Sequence, residues 1–167
     1  MDNINILIVD DQPLQLHVLE WLLRDIGIIE VESCLSGKDA IQLGKINQYD
    51  LIFVDLNMPD IDGIELLVEL NKIGYAGGIV ILSGVDSSVL NTVGYLCHKL
   101  KFGFVQELSK PCQTNDLNKL LNDFLSSRPK PGETADLYLP SQLELQEAIS
   151  RGPVSYTHLR AHETPAN

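Results

Sequence analysis

Two spacings of apolar residues alternate along the first 126 positions, and the alternation predicts a repeated strand–helix unit. Ile4 to Val9 is a β-branched run cut off by two acids, Asp10 and Asp11. Pro13 to Ile26 carries Leu16, Leu19, Leu22, Leu23 and Ile26 at helical spacing, with proline suited to its first turn and Gly27 to its end. Ile28 to Cys34 predicts a second strand. Ser36, with Asp39 in the first turn, resembles a capping box for a helix running to about Asn47. Leu51 to Val54 is apolar without interruption, as expected of a strand buried on both faces of a parallel sheet. The turn NMPDIDG then leads into a helix from about Ile64 to Ile73, capped by Asp62. Ile79 to Leu82 predicts a fourth strand, Val89 to Leu100 a helix, Phe104 to Leu108 a fifth strand and Asp116 to Leu125 a closing helix. Trp21, within the first leucine stripe, is expected to lie partly buried against the sheet.

Consecutive βα units imply an α/β fold, a doubly wound five-stranded parallel sheet of (βα)5 type with helices on both faces. Sheets of this kind place their sites outside the carboxyl ends of the strands. The polar residues of interest stand where apolar runs end: Asp10 and Asp11 after the first strand, Asp55 after the third, Ser83 after the fourth, and Lys110 just past the fifth. One rim is therefore expected to gather them.

Composition narrows the partners. Hydrophobic residues are 44% and charged residues 21%, ordinary for a folded domain, and the formal net charge of -11 disfavours binding to a phosphate backbone. No stretch approaches a membrane span, and the N-terminus lacks the basic start of a signal peptide. Cys34, Cys97 and Cys112 are widely spaced, which fits a reducing, cytoplasmic setting better than zinc or disulfides. His17 and His98 lack metal-ligand spacing and read as surface or partly buried imidazoles, Met58 as loop packing, and Cys112 as a small filler beside Lys110.

Three carboxylates meeting at one rim would repel one another unless a cation sits among them. Mg²⁺ suits them, being a hard ion that takes oxygen ligands and bridges readily to phosphate. The backbone carbonyl of Asn57 can add another oxygen. Asp55 is then placed as a nucleophile toward a phosphoryl donor, with Lys110 offering a positive charge and Ser83 a hydroxyl to the phosphoryl oxygens. Taken singly, Asp10–Asp11 reads as well as a cap before Pro13, and Asp55 as a turn residue.

The set Asp10-Asp11, Asp55-x-x-Met58-Pro59-x-x-Asp62-Gly63, Ser83-Gly84 and Lys110-Pro111 resembles the receiver domain of two-component response regulators. The resemblance covers roughly residues 3 to 126. It implies a flavodoxin-like fold, Mg²⁺ held by Asp10, Asp11 and Asp55, phosphorylation of Asp55 by a histidine kinase, and phosphate sensing by Ser83 and Lys110. It also implies a cis Lys110–Pro111 bond and a dimer or partner face along Val89 to Leu108. One position departs from the family pattern. The aromatic residue usual before the lysine is replaced by Glu107, so the aromatic-coupled switch is absent or Phe104 substitutes in a shifted register.

Beyond the receiver (1–126), residues 127–140 read as a linker rich in proline and small polar residues. Residues 141–153 predict a short helix, and LPSQLELQEAISRGPV resembles the opening of EAL-type cyclic-di-GMP phosphodiesterase domains. The EAL motif itself does not occur in this sequence. Residues 154–167 include VSYTHLRAHET, which looks like a translated sequencing adapter, so this tail is expected to be non-native and the reading frame truncated before its output domain. Three other functions share the fold or the nucleophile. A phosphatase of the haloacid-dehalogenase type needs a second Asp where Asn57 stands, and a flavin binder needs a phosphate cradle where this chain has DDQP. A fold-only interaction module needs none of the rim residues.

Overall fold

The computed structural model describes residues 4–84, 93, 95–97 and 99–128. Its strands are β1 (Ile6–Val9), β2 (Val31–Cys34), β3 (Leu51–Asp55), β4 (Gly78–Ser83) and β5 (Phe104–Ser109). They pair in parallel in the order β2-β1-β3-β4-β5, the expected flavodoxin-like arrangement. The helices are α1 (Pro13–Asp25), α2 (Gly37–Ile46), α3 (Gly63–Lys72) and α4 (Thr114–Ser127). Within the predicted Val89–Leu100 helix, Val93, Tyr95, Leu96, Cys97 and Lys99 are helical. The rest of that prediction apart from Leu100, together with His98, the linker beyond Arg128, the 141–153 helix and the 154–167 tail, lies outside the described residues.

Alternate residues of the strands feed two cores. Ile6, Ile8, Leu51, Phe53, Val80, Leu82 and Leu108 pack on one face beneath Leu16, Leu19 and Leu23 of α1 and Leu117, Leu120 and Phe124 of α4. Leu7, Val9, Ile52, Val54, Ile79 and Ile81 pack on the other with Ala40 of α2, Leu66, Leu67 and Leu70 of α3, and Val93 and Cys97. Both faces of β1, β3 and β4 are thus buried, which is why their sequences read as unbroken apolar runs. This burial fixes the register, because a slip of one residue would exchange the two cores.

Two expectations need correction. The second strand begins at Val31, not Ile28. Helix α1 ends in a left-handed turn at Gly27 (φ 92°), with the Gly27 N–H donating to Arg24 O at 3.0 Å and the Ile28 N–H to Leu23 O at 3.0 Å. The chain needs Ile28 to Glu30 to cross from that turn to the sheet edge, and Ile29 is left exposed. Trp21 is 64% exposed, not packed on the sheet. Leu16, Leu19, Leu22 and Leu23 already fill the inward face of α1, and Trp21 falls with Leu14 and Val18 on the outward one.

Candidate functional site

The strand ends deliver the polar residues that the sequence placed there. Asp55 and Ser83 are the last residues of β3 and β4, Asp10 follows β1 directly, and Lys110 follows β5. The sheet order reverses between β1 and β3, so Asp10 and Asp55 flank the switch point, where neighbouring connections leave toward opposite faces. A cleft of about 420 Å³ lies at the other end of the sheet, between Glu30–Glu32 and Asn47–Tyr49, remote from these groups along the strands.

One carboxylate oxygen from each of Asp10, Asp11 and Asp55 lies within 4.8 Å of the others. Asp10 is 1% and Asp55 3% exposed, so water screens their charges little. The Lys110 ammonium bridges two of them, at 2.6 Å from Asp10 Oδ2 and 3.0 Å from Asp55 Oδ2. Burial works against a charged lysine here, but the hydrogen bonds to Asp10 and Asp55 outweigh it and raise the Lys110 pKa. Three carboxylates against one ammonium leave two negative charges uncompensated. Asp11 Oδ1 is buried and has no hydrogen-bond partner. An orphaned, anionic oxygen beside two other carboxylates fits an oxygen-seeking divalent cation, Mg²⁺ above all.

Local hydrogen bonds orient the acids. Asp10 Oδ1 accepts the Gln12 N–H at 2.9 Å, and Asp55 Oδ1 accepts the Asn57 N–H at 3.2 Å. The N-cap of α1 is Gln12, which makes no side-chain cap, so neither Asp10 nor Asp11 stands at the capping position. The loop after β3 folds back closely. The Gly63 N–H donates to Leu56 O at 3.1 Å, and a Cβ at Gly63 would lie 2.7 Å from both the Asp55 carbonyl oxygen and Leu56 Cα. Asp62 caps α3 as expected, accepting the Glu65 N–H at 2.8 Å, and Met58 is buried in the adjacent core. The Lys110–Pro111 bond is cis, and the Lys110 N–H donates to Ser83 O at 2.8 Å.

Ser83 is buried at the rim, yet its hydroxyl donates to Oε1 of Glu107 at 2.7 Å, not to any of the three acids. Sequence reasoning singled out Glu107 only as a missing aromatic. Strand parity carries the signal that was overlooked: Ile81 pairs with Glu107 and Ser83 with Ser109, which puts Ser83 and Glu107 diagonally on one face. Phe104 packs edge-on against Phe124 at 5.3 Å between ring centroids, on the face opposite Glu107.

A family model described as the response regulator receiver domain matches residues 6–122. A transcriptional regulatory protein LytR of Staphylococcus aureus is 28% identical over 131 residues, which make up 78% of this chain and 50% of that protein. The chain therefore spans about half the length of the curated relatives it matches first. Among solved structures, a CheY-like response regulator receiver domain from Methylobacillus flagellatus is 28% identical with a TM-score of 0.61, covering 72% of this chain and 98% of that one. The receiver domain of a sensor histidine kinase from Pseudomonas aeruginosa, described with a magnesium ion coordinated in its active site cleft, is 25% identical with a TM-score of 0.61. It covers 74% of this chain and 98% of that one.

Proposed function

The chain belongs to the response-regulator receiver family, the phosphoacceptor signalling modules of two-component phosphorelays, and from that premise we propose that Asp55 is its phosphorylated residue in a Mg²⁺-dependent reaction. The observation that carries this reading is the convergence of Asp55 Oδ2 and the Lys110 ammonium, 3.0 Å apart, inside a three-carboxylate cluster with one orphaned oxygen.

A carboxylate oxygen of Asp55 attacks phosphorus on a phosphohistidine of a histidine kinase. The O–P bond forms as the P–N bond breaks, and the imidazole leaves. Asp10, Asp11 and Asp55 would hold Mg²⁺, with the backbone carbonyl of Asn57 as a further ligand, and the bound ion supplies charge neutralisation for the transferred oxygens. Lys110 turns its ammonium to a phosphoryl oxygen, and Ser83 donates its hydroxyl to another. A domain working in this way is a phosphoacceptor and not itself an enzyme.

The same reading extends to the rest of the chain. Residues 1–126 are the receiver, 127–140 a linker, 141–153 the opening helix of an EAL-type output domain, and 154–167 a non-native tail. The support for the last three is sequence likeness alone, and sequencing the natural gene past Gly152 decides it: an EAL motif downstream supports truncation, a repeat of VSYTHLRAHET refutes it. The face from Val89 to Leu108 is a dimer or partner surface by family resemblance, and much of its first half lies outside the described residues. A cytoplasmic location fits three free cysteines, and no helix among the described residues is long and apolar enough to cross a membrane.

Borohydride reduction after incubation with acetyl phosphate and Mg²⁺ tests the site assignment. Reduction of an aspartyl phosphate leaves homoserine, which peptide mapping should find at residue 55. Homoserine at residue 10 or 11, or at none of the three, would refute the assignment.

A further inference from the structure

The Ser83 hydroxyl has one proton to donate, and it donates that proton to the carboxylate of Glu107 at 2.7 Å. Ser83 is buried, whereas Glu107 stands exposed on the edge strand β5. The contact leans across the β4–β5 pair, where Ile81 is opposite Glu107 and Ser83 opposite Ser109. The backbone at the same point is tied to the site, since Ser83 O accepts the Lys110 N–H at 2.8 Å and Lys110 Nζ lies 3.0 Å from Asp55 Oδ2. Ser83 thus sits opposite Ser109, the residue before the lysine that grips Asp55, with its hydroxyl proton committed to an edge carboxylate.

We infer that Glu107 is a positioning residue for phosphorylation, a competing acceptor that holds the Ser83 hydroxyl in the resting protein and that an acyl phosphate at Asp55 must displace. The inference rests on the reading of Asp55 and Ser83 given above. A hydrogen bond to a carboxylate is among the stronger kinds, so giving it up lowers the gain from donating to a phosphoryl oxygen. A contact made only in the resting state biases the two-state equilibrium toward rest. Displacement also changes the surface. The Glu107 carboxylate is paired in the resting state and unpaired once Ser83 turns to the phosphoryl group, so β5 would signal through an exposed charge where an aromatic ring is usual.

Calorimetric titration with beryllium fluoride in Mg²⁺, a stable mimic of the aspartyl phosphate, tests this on wild type, Glu107→Ala, Ser83→Ala and the double variant. Glu107 is exposed, so its replacement leaves the cores intact, and circular dichroism checks each fold. Glu107→Ala should tighten binding about tenfold when Ser83 is present and leave it unchanged when residue 83 is alanine. Glu107→Gln, which keeps a neutral acceptor, should fall between. An equal tightening in both backgrounds would mean general charge repulsion, and no tightening in either would mean no competition; both overturn the inference. Acetyl phosphate with Mg²⁺ on wild type separates this from the parent reading. Wild type that gains no phosphoryl group removes the reading and the inference together, whereas wild type that gains one while the variants fail the cycle removes the inference alone.

Discussion

Asp11 and Lys110 pull the site in opposite directions, and each predicts a different loss. The Asp11 carboxylate has an oxygen buried without a partner and no ammonium beside it in the cluster. Removing its charge relieves repulsion among the acids, so Asp11→Asn should leave the metal-free protein as stable as wild type or more so, by up to about 1 kcal/mol. Mg²⁺ should raise the Tm of wild type, and the same change should abolish that rise. Lys110→Ala should do the reverse, stranding Asp10 and Asp55 as buried anions at a cost of about 3 kcal/mol, part of which Mg²⁺ restores. Scanning calorimetry with and without Mg²⁺ reads both, and an Asp11→Asn protein still stabilised by Mg²⁺ would remove Asp11 from the ligand set. These residues were legible in the sequence because each ends an apolar run. Glu107 was legible as an oddity, but its bond to Ser83 was not, since that depends on which residues of two paired strands share a face.

At the scale of elements, the β3–α3 connection sets where Asp55 sits. Gly63 begins α3 with its Cα so close to the Asp55–Leu56 backbone that a methyl group would come within 2.7 Å of two backbone atoms. Backbone cannot swing aside as the end of a long side chain can. Gly63→Ala should therefore cost about 2 kcal/mol and slow phosphorylation as well, because one of the two crowded atoms is the carbonyl oxygen of Asp55 itself and the other is the Cα that follows it. Denaturant unfolding and the rate of phosphoryl gain should move together, and a variant of wild-type stability and rate would show that the loop gives way freely. The strands β1, β3 and β4 were readable in advance because burial on both faces leaves no polar position to blur them. The edge strand β2 is only half-buried, and its start at Val31 follows from the three residues the chain needs after the Gly27 turn to reach the sheet edge, a length that Ile28 and Ile29 do not announce. Trp21 misled for a related reason: in a helix this rich in leucine, apolar residues continue past the width of the buried stripe.

Across the whole molecule, acids outnumber bases 23 to 12, and among the described residues several weakly acidic groups are held protonated to higher pH by the fold. Burial pushes the Cys34 and Cys97 thiols from their ordinary 9.0 up to about 11, and burial with the neighbouring Glu32 pushes the Tyr49 hydroxyl up to about 12. A group whose pKa is raised by folding contributes stability below its unfolded pKa and loses it as pH climbs toward the folded value. Tm should therefore hold up to about pH 9 and fall between pH 9 and 11, and changing Cys34 and Cys97 to serine should flatten that limb. A Tm insensitive to pH over that range would mean the thiols ionise as easily folded as unfolded. The order of the strands, the two cores and the acidic rim follow from the pattern of the chain, and they converge on one chemical claim, that this domain takes a phosphoryl group on Asp55 with the help of Mg²⁺. Intact-mass spectrometry after incubation with acetyl phosphate tests it most directly, on wild type and Asp55→Asn, with Mg²⁺ and with the metal chelated. A single phosphoryl group should appear on wild type in Mg²⁺ and under no other condition. Folded wild type that gains nothing, or Asp55→Asn that gains as much as wild type, would contradict it.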